Sequence, residues 1–262
     1  MFRQLLSIAL FVGMLAGTAH AAEKISFPSA TDWGDPTKLT GLLSKPPGQG
    51  PFPAVVVLHQ CNGLDDAVGP IWEKRLVGWG YVVLRVDSLA PRGLKNVCAY
   101  ETKGSYDGDV FESDTRVEDA NGAKKFLASL QYVAKDKIGL IGWSHGAAAV
   151  LSTLVAEAPD GPFAGAIALY PGCGVLMVEI SAPLLILIGE KDTWSVASIC
   201  QQLEQPSLGT HRFERVVYPG AHHGFDEPEA DRTEHGHTIR YDLKAAADAS
   251  RRIEAFLAKY VR

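Results

Sequence analysis

Five short runs of nearly unbroken Val, Ile, Leu and Ala restrict the fold of this chain more than any other feature. They are Pro53 to His59 (PAVVVLH), Tyr81 to Asp87 (YVVLRVD), Lys137 to Trp143 (KIGLIGW), Ala164 to Tyr170 (AGAIALY) and Pro183 to Gly189 (PLLILIG). A strand with one wet face alternates apolar and polar residues. A continuous apolar run needs cover on both faces, the condition of a parallel strand inside a sheet. Between the runs lie segments with helical spacing: Ile71 to Gly78, Asp114 to Leu130, Ala147 to Ala156, and a closing stretch from Thr238 to Tyr260. Strands alternating with helices predict an α/β fold, a mostly parallel sheet with helices on both faces. Arg212 to Tyr218 adds a further strand near one edge. Lys24 to Ser29 and Lys38 to Lys45 suggest an opening antiparallel pair, and Pro91 to Gly108 reads as a surface loop near the strand ends. No repeat or low-complexity linker divides the chain, so residues 22–262 are expected to form one domain.

The beginning of the chain follows a different pattern. Arg3 supplies a positive charge, Leu5 to Ala16 are mostly apolar, and Ala19-His20-Ala21 gives a small-x-small cleavage pattern. Residues 1–21 therefore read as a secretory signal peptide, too short in its apolar part to span a bilayer comfortably. No cysteine follows the expected cut, so a lipoprotein is not expected. The mature protein should be exported, periplasmic or secreted, and free of the membrane. The formal net charge of −5, with both signs interspersed, provides no basic field for nucleic acid. Export also decides how Cys61, Cys98, Cys173 and Cys200 are read: in an oxidising compartment they are candidates for disulfides. Four cysteines allow three pairings, and no Cys-x-x-Cys spacing suggests zinc.

Gly142-Trp143-Ser144-His145-Gly146 fits Gly-x-Ser-x-Gly. In that pattern a sharp strand-to-helix turn lifts a serine hydroxyl above the sheet, and small flanking residues let the turn close. The pentapeptide follows an apolar run and precedes an Ala-rich helical segment, where such an elbow belongs. A serine hydroxyl needs a base, which in turn needs an acid to orient it. The order serine, acid, histidine is met by Asp192, after the run ending at Gly189, and by a histidine after the run ending at Tyr218. Glu190 competes with Asp192 but sits closer to the strand end. His222 and His223 are nearly equivalent on residue type and position. The His doublet with His235 and His237 lacks a helical ligand frame, so solvated surface histidines are the better reading and no metal or other cofactor is expected. An acyl-transfer site also needs amides aimed at the developing oxyanion. One is the N–H of His145; the other should come from His59-Gln60-Cys61-Asn62-Gly63, with the Cys61 amide favoured over that of Gln60.

Taken together, these residues resemble the dienelactone hydrolase family, a branch of the α/β hydrolases. The similarity is carried by His59-Gln60-Cys61-Asn62-Gly63-Leu64, Val86-Asp87-Ser88 with Pro91-Arg92-Gly93, the elbow Gly142 to Gly146, Gly189 to Asp192, and Tyr218-Pro219-Gly220-Ala221-His222-His223-Gly224-Phe225. It runs from about Pro53 to the last helix. The resemblance implies the single-domain α/β-hydrolase fold, His223 rather than His222 as base, and Asp192 as acid. This chain departs from the family's namesake enzymes in carrying Ser144 where they have cysteine, and Gln60 where they have glutamate. Arg92 loosely matches a family position that binds a substrate carboxylate, and Gln60, Trp143 and Trp194 are further candidates to touch substrate; Tyr170 and Phe225 also fall beside motif residues. In the implied fold the strands ending at His59 and Asp87 are neighbours, as are those ending at Tyr170 and Gly189. That arrangement implies the pairings Cys61–Cys98 and Cys173–Cys200. The expected activity is hydrolysis of a small-molecule ester or lactone through a Ser144–His223–Asp192 triad and an acyl-enzyme. An acyltransferase or peptidase on the same triad, or a non-catalytic binding protein of the same fold, are the alternatives.

Overall fold

In a computed structural model, residues 21–31, 34–101, 113–158, 160–174, 179–203 and 211–262 are described. The expected signal peptide, residues 1–21, lies outside them except for its last residue, and so does the Thr102–Gly108 part of the expected surface loop. The strands are β1 (Glu23–Pro28), β2 (Lys38–Ser44), β3 (Phe52–Leu58), β4 (Val82–Asp87), β5 (Val133–Trp143), β6 (Ala166–Leu169), β7 (Leu184–Gly189), β8 (Phe213–Tyr218), β9 (Asp231–Glu234) and β10 (His237–Arg240). The helices are α1 (Gly69–Gly78), α2 (Cys98–Glu101), α3 (Ser113–Ser129), α4 (His145–Val155), α5 (Ala197–Gln201) and α6 (Leu243–Tyr260), with one 3-10 turn at Ala90–Arg92.

Eight strands form one sheet in the order β1-β2-β4-β3-β5-β6-β7-β8. β1 and β2 are antiparallel, as expected, and β2 joins β4 antiparallel; every pairing from β4 to β8 is parallel. The apolar runs behave as their continuity requires. Ala54 to Leu58, Ile138 to Trp143 and Leu184 to Gly189 are buried residue after residue, so helices cover both faces. α3 packs on α4. At the other end of the chain, Arg262 reaches back to the Trp79 carbonyl at the close of α1, bringing the end of α6 beside α1. α6 buries Ala249, Ile253, Phe256 and Leu257 at helical intervals and keeps its charged face in water.

Three local differences from the sequence reading have identifiable causes. α6 starts at Leu243 rather than Thr238, because the Asp242 carboxylate accepts from the Lys244 and Ala245 amides and caps the helix there. The residues ahead of it form the β9–β10 hairpin, which takes Thr238 to Arg240 out of the expected helical stretch. His235 and Gly236 turn it, both at positive φ (49° and 87°), the geometry of a tight two-residue hairpin. The first part of the expected Pro91–Gly108 loop contains the 3-10 turn and α2.

Disulfides join Cys61 to Cys98 and Cys173 to Cys200, and no described cysteine is free. The first ties the segment after β3 to that after β4. The second ties the segment after β6 to α5, which follows β7. Both bridges therefore cross between loops at the carboxyl ends of neighbouring parallel strands. Among the described residues no helix is long and apolar enough to cross a membrane.

Candidate active site

Parallel strands in an open sheet all end on the same edge, and loops leaving that edge meet. Here β5 runs into α4 with only Ser144 between them, at φ 52° and ψ −117°, a conformation L-residues rarely hold. The turn is closed by contact: a β-carbon at Gly142 would collide with the Gly146 carbonyl, and one at Gly146 with the carbonyls of Leu58 and His59. The two glycines of the pentapeptide thus permit the strain that points the serine up.

The other two residues arrive from β7 and β8. His223 Nε2 lies 3.0 Å from Ser144 Oγ, and its Nδ1 lies 2.8 Å from Asp192 Oδ2. A carboxylate opposite Nδ1 keeps the ring proton there and leaves Nε2 to accept from the serine. Asp192 is itself oriented, since its second oxygen accepts from the amides of Trp194 and Ser195 at 2.9 and 2.8 Å. All three side chains sit in a protein interior, with Ser144 and Asp192 4% and His223 2% exposed. The acid and histidine loops are laced together, the Glu190 amide donating to the Tyr218 carbonyl and the Lys191 amide to that of Ala221. The alternatives fall elsewhere: Glu190 is exposed and accepts from the Gly220 amide, and His222, half-buried, has no bond to Ser144 or Asp192.

The loop after β3 is held rigidly beside the elbow. Asp66 accepts from the Gly69 amide and, at 3.4 Å, from that of Gln60. Burial pushes the Asp66 carboxyl up to about 6. The Gln60 N–H is thereby engaged within the loop. The Cys61 carbonyl accepts from the Val97 amide at 2.8 Å, reinforcing the disulfide to Cys98. His59 is neutral: burial, and next the nearby Arg116 charge, hold it well below its ordinary range. Its Nδ1 donates to the Gln60 carbonyl at 2.6 Å, and its Nε2 accepts from the Ser88 amide at 3.2 Å.

A cavity of about 250 Å³ opens at Ser144, lined also by His145, Ala148, Gly172, Trp194 and Ser195. Of the aromatics considered from sequence, Trp194 alone lines it. The Trp194 indole stacks on both His223 and His237, each with ring centroids 5.2 Å apart. Trp143 is fully buried, not a cavity wall: its indole faces the core, where it packs on Trp72. Tyr170 is also buried and sets its ring edge-on to His223 at 4.6 Å, while Phe225 packs between Tyr170 and Tyr218. Arg92 does not line the cavity either. Its guanidinium grips Asp119 with two bonds of 2.7 and 3.0 Å and donates to the Ser88 carbonyl, so it braces the loop after β4. Gln60 is buried and does not line the cavity.

One residue essential to this architecture escaped the sequence reading. Asp226, three residues beyond His223, is buried and accepts from Trp72 Nε1 (2.8 Å), Trp143 Nε1 (3.0 Å) and Tyr170 Oη (2.8 Å). Burial raises its carboxyl above the usual range, and the three donors oppose that shift. The hairpin adds a further brace: the Arg240 amide donates to the His223 carbonyl at 3.1 Å. Its tip residues His235 and His237 pack on Trp194, and among the described residues no group of three or more His, Cys, Asp or Glu is arranged to hold a metal ion.

The family model described as "Dienelactone hydrolase family" matches residues 39–261. A curated Synechocystis sp. protein, provisionally named a carboxymethylenebutenolidase, is 25% identical over 242 residues, covering 83% of this chain and 90% of that protein. Among solved structures, a dienelactone-hydrolase-like promiscuous phosphotriesterase from metagenomic libraries superposes with TM-score 0.71 at 20% identity, covering 93% of this chain and all of that one. A dienelactone hydrolase from Anabaena variabilis gives TM-score 0.65 at 19% identity, with 93% of this chain and all of that one covered. These structural likenesses are likenesses of fold.

Proposed function

The chain belongs to the dienelactone hydrolase family, and we propose that it is an exported serine hydrolase that opens a small ester or lactone through Ser144, His223 and Asp192. Membership makes it a hydrolase of carboxylic ester bonds. The observation that carries the finer reading is the hydrogen-bonded line Asp192–His223–Ser144, built from three different strand ends and almost wholly buried beneath the cavity at Ser144.

In this reading His223 takes the serine proton as Oγ attacks the carbonyl carbon, and the Asp192 carboxylate stabilises the imidazolium that forms. Negative charge moving onto the carbonyl oxygen is met by the amides of His145 and Cys61. The imidazolium then gives its proton to the leaving oxygen, which departs as an alcohol or, for a lactone, as the free end of the opened ring. Water repeats the sequence on the acyl-enzyme and frees Ser144. Trp194 forms the wall that positions the substrate, and the small cavity favours a compact acyl group. The domain spans residues 22–262 after removal of residues 1–21, and the two disulfides suit an oxidising compartment.

The test is turnover of a panel of p-nitrophenyl esters, lactones and dienelactones by the mature protein and by Ser144→Ala. The wild type should hydrolyse members of the panel and be labelled by a fluorophosphonate at Ser144. The variant should remain folded, resist labelling and lose nearly all turnover. Retained hydrolysis by Ser144→Ala would overturn the assignment.

A further inference from the structure

Arg116 lies in the first turns of α3, is fully buried, and takes no part in the triad. Its guanidinium reaches two loops at once. Nη2 donates to the His59 carbonyl at 2.9 Å, and Nη1 lies 2.8 Å from His145 Nδ1. A guanidinium offers donors only, so His145 Nδ1 is the acceptor and the proton of that ring sits on Nε2. These two partners stand at the seam of the oxyanion site. His59 opens the loop that presents the Cys61 amide, and His145 carries the other amide on its own main chain. Beside the guanidinium the two segments touch directly at Gly146, whose α-carbon faces the Leu58 and His59 carbonyls with no room for a side chain. The end of β3 and the start of α4 cannot separate without breaking a buried, charge-assisted contact at one end or the other. The neighbouring arginines are used differently: Arg92 holds Asp119, and Arg85 holds Glu73 and the Leu64 carbonyl.

We propose that Arg116 is a positioning residue for the oxyanion hole, fixing the separation of the Cys61 and His145 amides while keeping a buried positive charge beside the second of them. The proposal rests on the triad reading above. It assigns to α3, an element that contributes nothing to the triad, control over how well the transition state is held. The substrate is bound by Trp194 and the cavity wall before charge develops, so Arg116 should act on the chemical step and leave ground-state binding nearly untouched.

The experiment compares Arg116→Lys and Arg116→Met with wild type and Ser144→Ala, in the oxidised full chain on one p-nitrophenyl ester well below each melting temperature. Arg116→Met should lower kcat about 100-fold, the scale of losing one oxyanion donor, with KM within about threefold. Arg116→Lys, which keeps the charge but not the two-pronged reach, should lose less. The inhibition constant of a phenylboronic acid, which forms an anionic tetrahedral adduct on serine, should weaken in step with kcat. A merely structural role would lower the folded fraction and leave kcat per folded molecule unchanged. Should Arg116→Met fail to fold, His145→Leu removes one end of the clamp while leaving the backbone amide, and is expected to lower kcat roughly tenfold at constant KM. Wild-type kcat in folded Arg116→Met or in His145→Leu, or a change confined to KM, overturns the proposal. Turnover by Ser144→Ala would remove the triad itself. Normal turnover by the Arg116 variants beside an inactive Ser144→Ala would remove only this inference.

Discussion

Asp66 makes this fold pay for a tightly held loop after β3 in a way that pH can expose. Its carboxyl is buried, with its two oxygens facing the Gly69 and Gln60 amides, and burial raises it from 3.8 to about 6. Below about pH 4 the group is protonated in the folded and unfolded chain alike, and it contributes nothing to pH dependence. Between about pH 4 and pH 6 the unfolded chain loses the proton while the folded chain keeps it, so stability falls as pH rises. Above pH 6 both forms are ionised and the full penalty is present. A shift of this size, at about 1.4 kcal/mol per pH unit, corresponds to about 3 kcal/mol. Asp66→Asn removes the titration and adds a constant cost, because its NH₂ must face one of the two amides. Denaturant unfolding of the non-reduced wild type and variant, at intervals from pH 4 to pH 7.5, isolates the effect in their difference. Asp119 cancels, being common to both chains; Asp226, whose charge helps raise Asp66, is common to both but is relieved of that repulsion in the variant. The difference should move in favour of the variant by about 2.5 kcal/mol between pH 4 and the neutral end, the rest of the penalty having set in below pH 4, and be flat above about pH 7. A difference constant with pH, or one moving in the opposite direction, would refute the reasoning.

Asp192→Asn removes the carboxylate that holds the proton on Nδ1 of His223, and should lower kcat on the order of 10³–10⁴-fold with little change in KM, read by steady-state ester hydrolysis. Replacing Cys61 and Cys98 together by Ser opens a loop with sequence separation 37 and should cost about 3–4 kcal/mol in denaturant unfolding. The same change should lower kcat more than the matched replacement of Cys173 and Cys200, since only the first bridge anchors the loop bearing the Cys61 amide; equal effects on kcat would count against that role.

The parallel sheet was legible because its strands are buried on both faces, which leaves apolar runs of strand length bounded by turn residues. The elbow was legible because closing a strand onto a helix leaves a local signature, and the order of Asp192 and His223 follows the order of strands. What stayed hidden depends on distance or on weak local signals. β9 and β10 are four residues each and mostly polar, so neither apolar continuity nor alternation marks them; only His235-Gly236 hinted at a turn. Trp143 and Trp194 look alike as aromatics beside motif residues, and only the fold shows that one faces the core and the other the cavity. The partners of Asp226 lie 154, 83 and 56 positions away in sequence, and Arg116 meets His59 and His145 at separations of 57 and 29. A buried carboxylate or guanidinium carries no periodicity of its own, and its importance appears only when remote segments are folded onto it.

Asp226 has a further consequence for how this protein fails. Its three donors belong to α1, to the elbow and to the end of β6, while its own main chain continues the loop of His223. A carboxylate stripped of these donors in an apolar interior is costly, so none of the four segments can open while the others remain closed around an unsatisfied Asp226. The region around Ser144 and His223 should thus open as one cooperative block rather than fray, its backbone amides exchanging with solvent at a common opening free energy. Activity under rising denaturant would then disappear in a single step with that block, with no stage at which a loosened but intact triad still turns over substrate.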